Sequence, residues 1–391
     1  MYLQMKATIS SCLYKNIRSY YGKEKNIFTS SSLVEIGSPF MESHDLNFKP
    51  SKYMIFNEDQ QKQNYHNFLP HDLLNASGFV TSAYAVLDNV DLVGKYAYVL
   101  YKDQLVLSSC HGRLEYPLYR GDIRSLMLRN YLRTQSILEV AFSIVNTLSS
   151  NYFHFLIETL PLALAVKNEA LRHCPLLAND LICIVPKVKP SFIDFWLNAV
   201  FGDNLNVHEW CSSKIKVNKF IAPSLPFHVL SNQLAPVHGT HRYFKRHLEA
   251  IRNLGFSKAD SVLLTSLPKK IYIARASGAP RNIVNSVELD KLLSRRGYVK
   301  VYLEDLEIPT QIALVSHASH IIAIHGAGLA NLVFARDCRL VELYPLQRDP
   351  QFLHYFAQIS DSFNIQHSVL LCNSDSLYNM TVNLHALDSL I

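Results

Sequence analysis

HIIAIHGAGLANLVFARDCRLVELYP, from His320 to Pro345, is the stretch that decides the fold of this chain. An unbroken apolar strand, His320 to Ile324, ends at His325. Gly326 and Gly328 follow, LANLVFA reads as a short helix, and LVELY (Leu340 to Tyr344) reads as a second apolar strand. Strands that are apolar throughout belong to parallel α/β sheets, because helices cover both faces. In such sheets ligands bind beyond the carboxyl ends of the strands. Glycines let the backbone come close, and free amides at a helix start favour an anion such as a diphosphate. His325 then points into the crevice as a donor to a phosphate or a sugar hydroxyl. The bland alternative is that Gly326 and Gly328 only permit a tight turn, as short glycine motifs often do.

Working outward, the same style begins near Ser143. LICIVP (Leu181 to Pro186), FIAPS (Phe220 to Ser224), IYIA (Ile271 to Ala274) and VKVYLE (Val299 to Glu304) are further strand candidates separated by helical runs. The strand KIYIA delivers Arg275 to the same carboxyl edge, with Arg281 in the polar loop beyond. A guanidinium there suits an anion, because it pairs two phosphate oxygens at once. Arg281 fits a surface cation equally well. Arg275, directly after a buried strand, fits that description less. Asn285, Ser286 and Glu288 start the helix VELDKLLSRRG, which Gly297 ends. Nearer the N-terminus, Ala83 to Ser109 reads as two or three antiparallel strands, with turns at Asp88-Asn89 and Lys102-Asp103. The helix RYFKRHLEAIRNLGF and the loop SKADS look like the join between halves. The expected division is residues 1–75 as a polar, irregular region, 76–255 as an N-terminal α/β domain and 256–391 as a C-terminal one.

SSNYFHFLIETLPLALAV (Ser149 to Val166) is a second cluster. Asn151, His154 and Glu158 follow at i, i+3 and i+7, so a regular helix puts them on one stripe, His154 and Glu158 one turn apart. Polar side chains on an apolar helix are costly to bury alone. Either the three satisfy one another in the core or they line a cleft, where Glu158 would raise the basicity of His154.

With 391 residues, about half of them hydrophobic, the chain has material for two cores at roughly 150 residues per domain. A net charge of +6 is too modest to argue for nucleic acid. It suits an anionic small ligand, an acidic membrane surface or an ordinary soluble surface. The seven cysteines are dispersed, as in a reducing compartment. Neither a signal-peptide pattern nor an apolar run of spanning length is present. There is no D-x-D pair and no metal-ligand spacing, so a departing diphosphate would be met by arginine, helix dipole and amides, with no metal.

Together the two clusters resemble the glycosyltransferase 61 family. NYFHFLIETLP (Asn151 to Pro161) matches its N-Y-x-H-x-x-x-E-x-L-P motif. Arg275, Arg281, Asn285 and Glu288, then HGAGLANLVF (His325 to Phe334), then Glu342 match its second half. The resemblance covers about residues 80 to 360. It departs at Ser286, where the family often has Glu, and residues 1–75 have no counterpart. It implies an α/β, GT-B-like fold of two Rossmann-like domains facing across a cleft, with inverting, metal-independent transfer from a nucleotide-sugar to a glycan or glycolipid. Donor-binding residues would be Arg275, Arg281, Asn285, His325, Gly326, Ala327, Gly328, Leu329, Asn331 and Glu342, with Glu342 accepting from ribose hydroxyls or simply structural. Asn151 and Tyr152 would lie on the acceptor side, and His154 would be the base, with Glu158 as orienter or alternative base. The resemblance implies either a eukaryotic secretory lumen or bacterial surface-polysaccharide synthesis; without a signal anchor in the sequence, the expected setting is the bacterial cytoplasm, with the enzyme resting on the inner membrane. Competing expectations are another nucleotide-dependent polysaccharide-modifying transferase and a non-catalytic sugar- or nucleotide-binding partner protein.

Overall fold

The computed structural model describes residues 27–28, 41–48, 50–106, 109, 126, 131–211, 213–230, 241–259, 267–276 and 280–391. Cys12, Cys110 and most of the expected irregular N-terminal region lie outside them. The protein is mixed α/β, with several sheets. It divides into two compact units: Met1–Asp45 with Phe79–Gly239, and Leu46–Gly78 with Thr240–Ile391.

In chain order the first strands are β1 (Ile27–Phe28), β2 (Met41–Asp45), β3 (Tyr53–Phe56), β4 (Lys62–Gln63), β5 (Phe79–Val93), β6 (Tyr98–Tyr101) and β7 (Gln104–Val106). Next come β8 (Thr134–Ser143), β9 (Leu181–Pro186), β10 (Asn206–Trp210), β11 (Lys214–Pro223), β12 (Phe227–Val229) and β13 (His241–Tyr243). The last are β14 (Lys270–Ile273), β15 (Val299–Val301), β16 (His320–Ile324), β17 (Arg339–Pro345), β18 (Gln366–Ser374) and β19 (Met380–Thr381). The main helices are α1 (the continuous run 152–173), α2 (Ser191–Phe201), α3 (Lys245–Lys258), α4 (Ser286–Arg295), α5 (Ile308–His317) and α6 (His354–Ser362). Among the described residues no helix is long and apolar enough to cross a membrane.

In the first unit the sheet order is β1-β7-β6-β5-β11-β8-β9-β10, with β2 on β5. Strands β11, β8, β9 and β10 are parallel neighbours, and β5 and β6 run antiparallel to theirs. Its core is aliphatic, built on residues such as Leu87, Val90, Leu92, Ile184 and Val217. The turn expected at Asp88-Asn89 is absent. Asn89 takes a left-handed backbone, φ 57°, but β5 runs through it without losing register against β11. The chain reverses instead after Val93, where Gly94 has φ 83°, and again at Lys102-Asp103 as expected.

In the second unit the order is β15-β14-β16-β17-β18-β3-β4, parallel from β15 to β3. Counted from β14, the first five strands run 2-1-3-4-5, a doubly wound order that reverses between β14 and β16. The crevice outside the carboxyl ends of those two strands is where ligands bind in such sheets. Two expectations change. Tyr53–Phe56, read as part of an irregular region, is a strand beside β18, with Tyr53 opposite His367. Second, the division falls near residue 240, not 255. Gly255 of α3 lies so close under the Phe334 ring that a side chain there would collide, and Arg252 Nη2 donates to Ala335 O at 2.7 Å. The helix read as a join is packed into the C-terminal unit.

Helix α1 alternates α and π geometry. Its second segment, Phe155–Thr159, is a π turn in which Leu160 N–H reaches back to Phe155 O. Pro161 follows at once. Having no N–H, it cannot donate to the carbonyl a turn earlier, and the widened turn accommodates it. The second π segment, Val166–Ala170, has no proline to explain it.

Candidate functional site

In the second unit Arg275, His325 and Gly326 meet at the switch point between β14 and β16. Arg275 follows β14, and its Nη1 donates to His325 O at 3.3 Å. Gly326 makes room for it, since a Cβ at 326 would stand 2.7 Å from that nitrogen. A Cβ on Gly328 would press on a Leu303 methyl at 3.3 Å. The expected helix is a tighter 3-10 segment, Ala327–Phe334, and Leu329 N–H is used within it, donating to Gly326 O at 3.0 Å.

Arg281, expected as a loop cation free to point away, is half-buried beside Arg275 and Arg348. It has a left-handed backbone, φ 67°, a conformation that costs a non-glycine residue about 1–2 kcal/mol. Burial pushes its guanidinium down to about 9, and the charges of Arg275 and Arg348 push the same way. Burial, with Arg348 adding to it, also lowers Arg275, against the pull of Glu304. Arg348 is a residue the sequence reading passed over. It follows β17 by three positions, as Arg275 follows β14 by two, and a basic residue just past each strand end was the available signal. Its guanidinium lies 4.4 Å over the Phe352 ring, and its Nε is buried with no hydrogen-bond partner among the described residues. None of the three arginines forms an ion pair with a carboxylate among the described residues. Clustered half-buried cations without an ion-pair partner are costly, and a bound anion would relieve the cost.

Glu342 is not open to a ribose. It is fully buried on β17, with Oε1 2.5 Å from His325 Nδ1 and Oε2 2.9 Å from His367 Nε2. Burial pushes its carboxyl up, but hydrogen bonds from the two rings outweigh that and hold it at about 2. His325 is shifted down, chiefly by burial, with Arg348 and Arg281 adding to it against Glu342. Two other expected donor residues also turn inward. Asn285 clamps Val382, giving from Nδ2 to its carbonyl and accepting from its N–H, both at 2.9 Å. Asn331 is buried and donates to Gln311 Oε1 at 3.0 Å, fixing the 3-10 segment on α5.

In the first unit Asn151 is the N-cap of α1, its Oδ1 accepting from Phe153 N at 3.0 Å and His154 N at 3.4 Å. Tyr152 packs edge-on against Phe192 of α2, 5.2 Å between centroids. The expected stripe therefore shortens to a pair, His154 Nδ1 and Glu158 Oε2 at 2.7 Å, with Glu158 in the π turn. Asn146 Nδ2 donates to Thr159 Oγ1 at 2.9 Å, tying that turn to the loop after β8. Glu158, itself buried, lies in the wall of an open pocket at the carboxyl ends of β8 and β11, otherwise lined mainly by apolar residues such as Val145, Leu162 and Phe220. Among the described residues no group of three or more His, Cys, Asp or Glu is arranged to hold a metal ion.

The glycosyltransferase 61 family model matches residues 152–341. That span opens on the helix of His154 and Glu158, crosses Arg275 and the glycine turn, and ends one residue before Glu342. A search of curated proteins finds no match. The match takes in the N-terminal motif from Tyr152 onward and the whole of HGAGLANLVF, in the order the resemblance requires: the chain belongs to the glycosyltransferase 61 family and is a glycosyltransferase.

Proposed function

We propose that this glycosyltransferase is an inverting, metal-independent enzyme that moves a sugar from a nucleotide-sugar to a glycan or glycolipid acceptor. Its two units would be the donor and acceptor halves of a GT-B enzyme working in bacterial surface-polysaccharide synthesis. The observation that carries this is the group of Arg275, Arg281 and Arg348 beside the strand-order switch of the second unit, which forms no ion pair with a carboxylate among the described residues. Three guanidiniums and the amides of Ala327 and Gly328 suit a diphosphate, whose charge grows as it leaves. The acceptor hydroxyl gives its proton to the His154–Glu158 pair and its oxygen attacks the anomeric carbon. The bond from that carbon to the diphosphate oxygen breaks, and the electron pair leaves with the diphosphate. His154 is the base with Glu158 orienting it through Nδ1. The place of Glu158 in the pocket wall favours a second reading, in which Glu158 takes the proton itself. The dispersed cysteines fit a cytoplasmic setting, and the net charge of +6 fits contact with an acidic inner-membrane surface.

The test is a panel of nucleotide-sugars incubated with the purified chain and a mixed glycan acceptor, products read by mass, with and without chelator. Glycosyl transfer that persists in chelator is expected. Activity abolished by chelator and restored by magnesium or manganese would refute metal independence.

A further inference from the structure

A buried hydrogen-bond chain in the C-terminal unit has no part in the transfer just described. Ser360 on α6, His367 on β18, Glu342 on β17 and His325 at the end of β16 join in that order, through contacts of 2.9, 2.9 and 2.5 Å. All four are buried. An ionised carboxylate only accepts, so each ring must present an N–H to Glu342. That fixes both tautomers. His325 carries its proton on Nδ1 and His367 on Nε2, and His367 Nδ1 accepts from the Ser360 hydroxyl. One valence is left over. His325 Nε2 is then an acceptor, and no hydrogen bond to it is formed among the described residues.

The surroundings of this ring decide what happens there. Arg281 and Arg348 disfavour a charge on it, as burial does, and Glu342 favours one. Arg275 touches it only through the backbone carbonyl. Tyr344 lies edge-on at 4.8 Å and is uncharged at neutral pH, and Phe356 at 5.2 Å is apolar. Beyond Glu342, His367 meets the edge of Tyr53 at 4.8 Å. Burial, with the two cations adding to it, disfavours a charge on this ring. A bound anion cancels those cations and brings oxygen lone pairs toward another acceptor, and two facing acceptors are stable only with a proton between them.

We propose that a phosphoryl anion binding among Arg275, Arg281 and Arg348 draws one proton from solvent onto His325 Nε2, with Glu342, His367 and Ser360 as the positioning residues that hold the ring ready. This rests on the reading that the crevice holds the donor's diphosphate. The imidazolium then donates to a phosphate oxygen while the bond to the sugar breaks, adding a positive charge where negative charge develops. The proton returns to solvent when the nucleotide leaves, so none is consumed.

Calorimetric titration with UDP at neutral pH, in buffers of differing ionisation enthalpy, reads the protons exchanged on binding. The expected result is an uptake approaching about one proton per UDP. His325→Gln should still bind UDP, more weakly, and take up none, which separates the histidine from any titration of UDP itself. His367→Leu removes a donor from Glu342 and leaves its charge more basic, so the pH midpoint of uptake should rise. His367→Gln, which can still donate, should restore it. A purely structural His367 would change the melting temperature and leave that midpoint alone. Heats independent of buffer in the wild type, or the same uptake in His325→Gln, would overturn this inference and leave the crevice as the donor site. No binding of UDP at all would overturn the donor-site reading and this inference with it.

Discussion

In the N-terminal unit His154 and Glu158 meet across one turn of helix at 2.7 Å; in the C-terminal unit His325 and Glu342 meet from neighbouring strands at 2.5 Å. The side chains are the same two and the environments differ. The His154 side chain keeps 17% of its exposure and its glutamate borders a pocket, whereas His325 keeps 4% and the second oxygen of its glutamate is taken by His367. A pair with one side toward a pocket can exchange a proton with a substrate. A pair closed on every side but one holds a fixed charge, and can change state only when something outside alters the field. Access, more than residue type, separates a base from a charge anchor.

The comparison breaks most visibly at His154. Gln keeps most of the volume and one hydrogen bond but takes no proton, so His154→Gln should lower turnover by about two to four orders of magnitude. UDP affinity should be unchanged. Near-normal turnover in His154→Gln with none in Glu158→Gln would make Glu158 the base. If both variants turn over normally and unfold more easily, the first pair is a core network like the second.

Glu342→Gln attacks the other side. Removing one partner from a buried charged network costs about 3–5 kcal/mol, so its thermal midpoint should fall well below that of Glu158→Gln. The pH dependence has a definite sign. Glu342 is held at about 2 against an ordinary 4.5, so its contribution to stability is complete above that ordinary value and is lost as pH falls toward 2. His325, shifted down, adds loss in the same direction, because the unfolded chain takes its proton first as pH falls. Melts across the acid range should therefore be steeper in the wild type than in Glu342→Gln. Parallel acid limbs would mean that Glu342 is not the anchor.

Smaller effects sharpen the picture of the crevice. Arg275→Ala and Arg281→Ala should each weaken UDP by roughly ten- to a hundredfold, the range for a hydrogen bond to a charged group. The sequence ranked Arg275 above Arg281; the partial burial of Arg281 beside it puts the two on a par. Unchanged UDP affinity in either variant would remove that arginine from the site. Smallest is Asn151→Ala, which should cost about 1 kcal/mol of stability through the lost cap and leave UDP binding alone. A large loss of turnover at unchanged stability would return Asn151 to the acceptor side.

Much of this was written locally in the chain. The apolar runs that became β9, β14, β16 and β17, the glycine turn after His325, and the turn-spaced pair in α1 depend on residues adjacent in sequence, and adjacency is what periodicity reads. Other features used the same residue types with different outcomes. Asp88-Asn89 has the composition of a hairpin turn, yet pairing with β11 carries the strand straight through it. YMIF at Tyr53 is too short and too polar in its flanks to announce itself, and becomes a strand only because β18 offers an edge.

Asn285, Asn331 and Glu342 looked like ligands because each is polar beside a glycine turn or a strand end. The partners that occupy them, Val382, Gln311 and His367, lie 97, 20 and 25 residues away. The sequence by itself determined the α/β character, the family and the place of the crevice, since these follow from short-range pattern and the end of one strand. Only the tertiary structure decided which polar groups there remain open to a ligand, because burial and hydrogen-bond satisfaction depend on what the distant chain brings alongside.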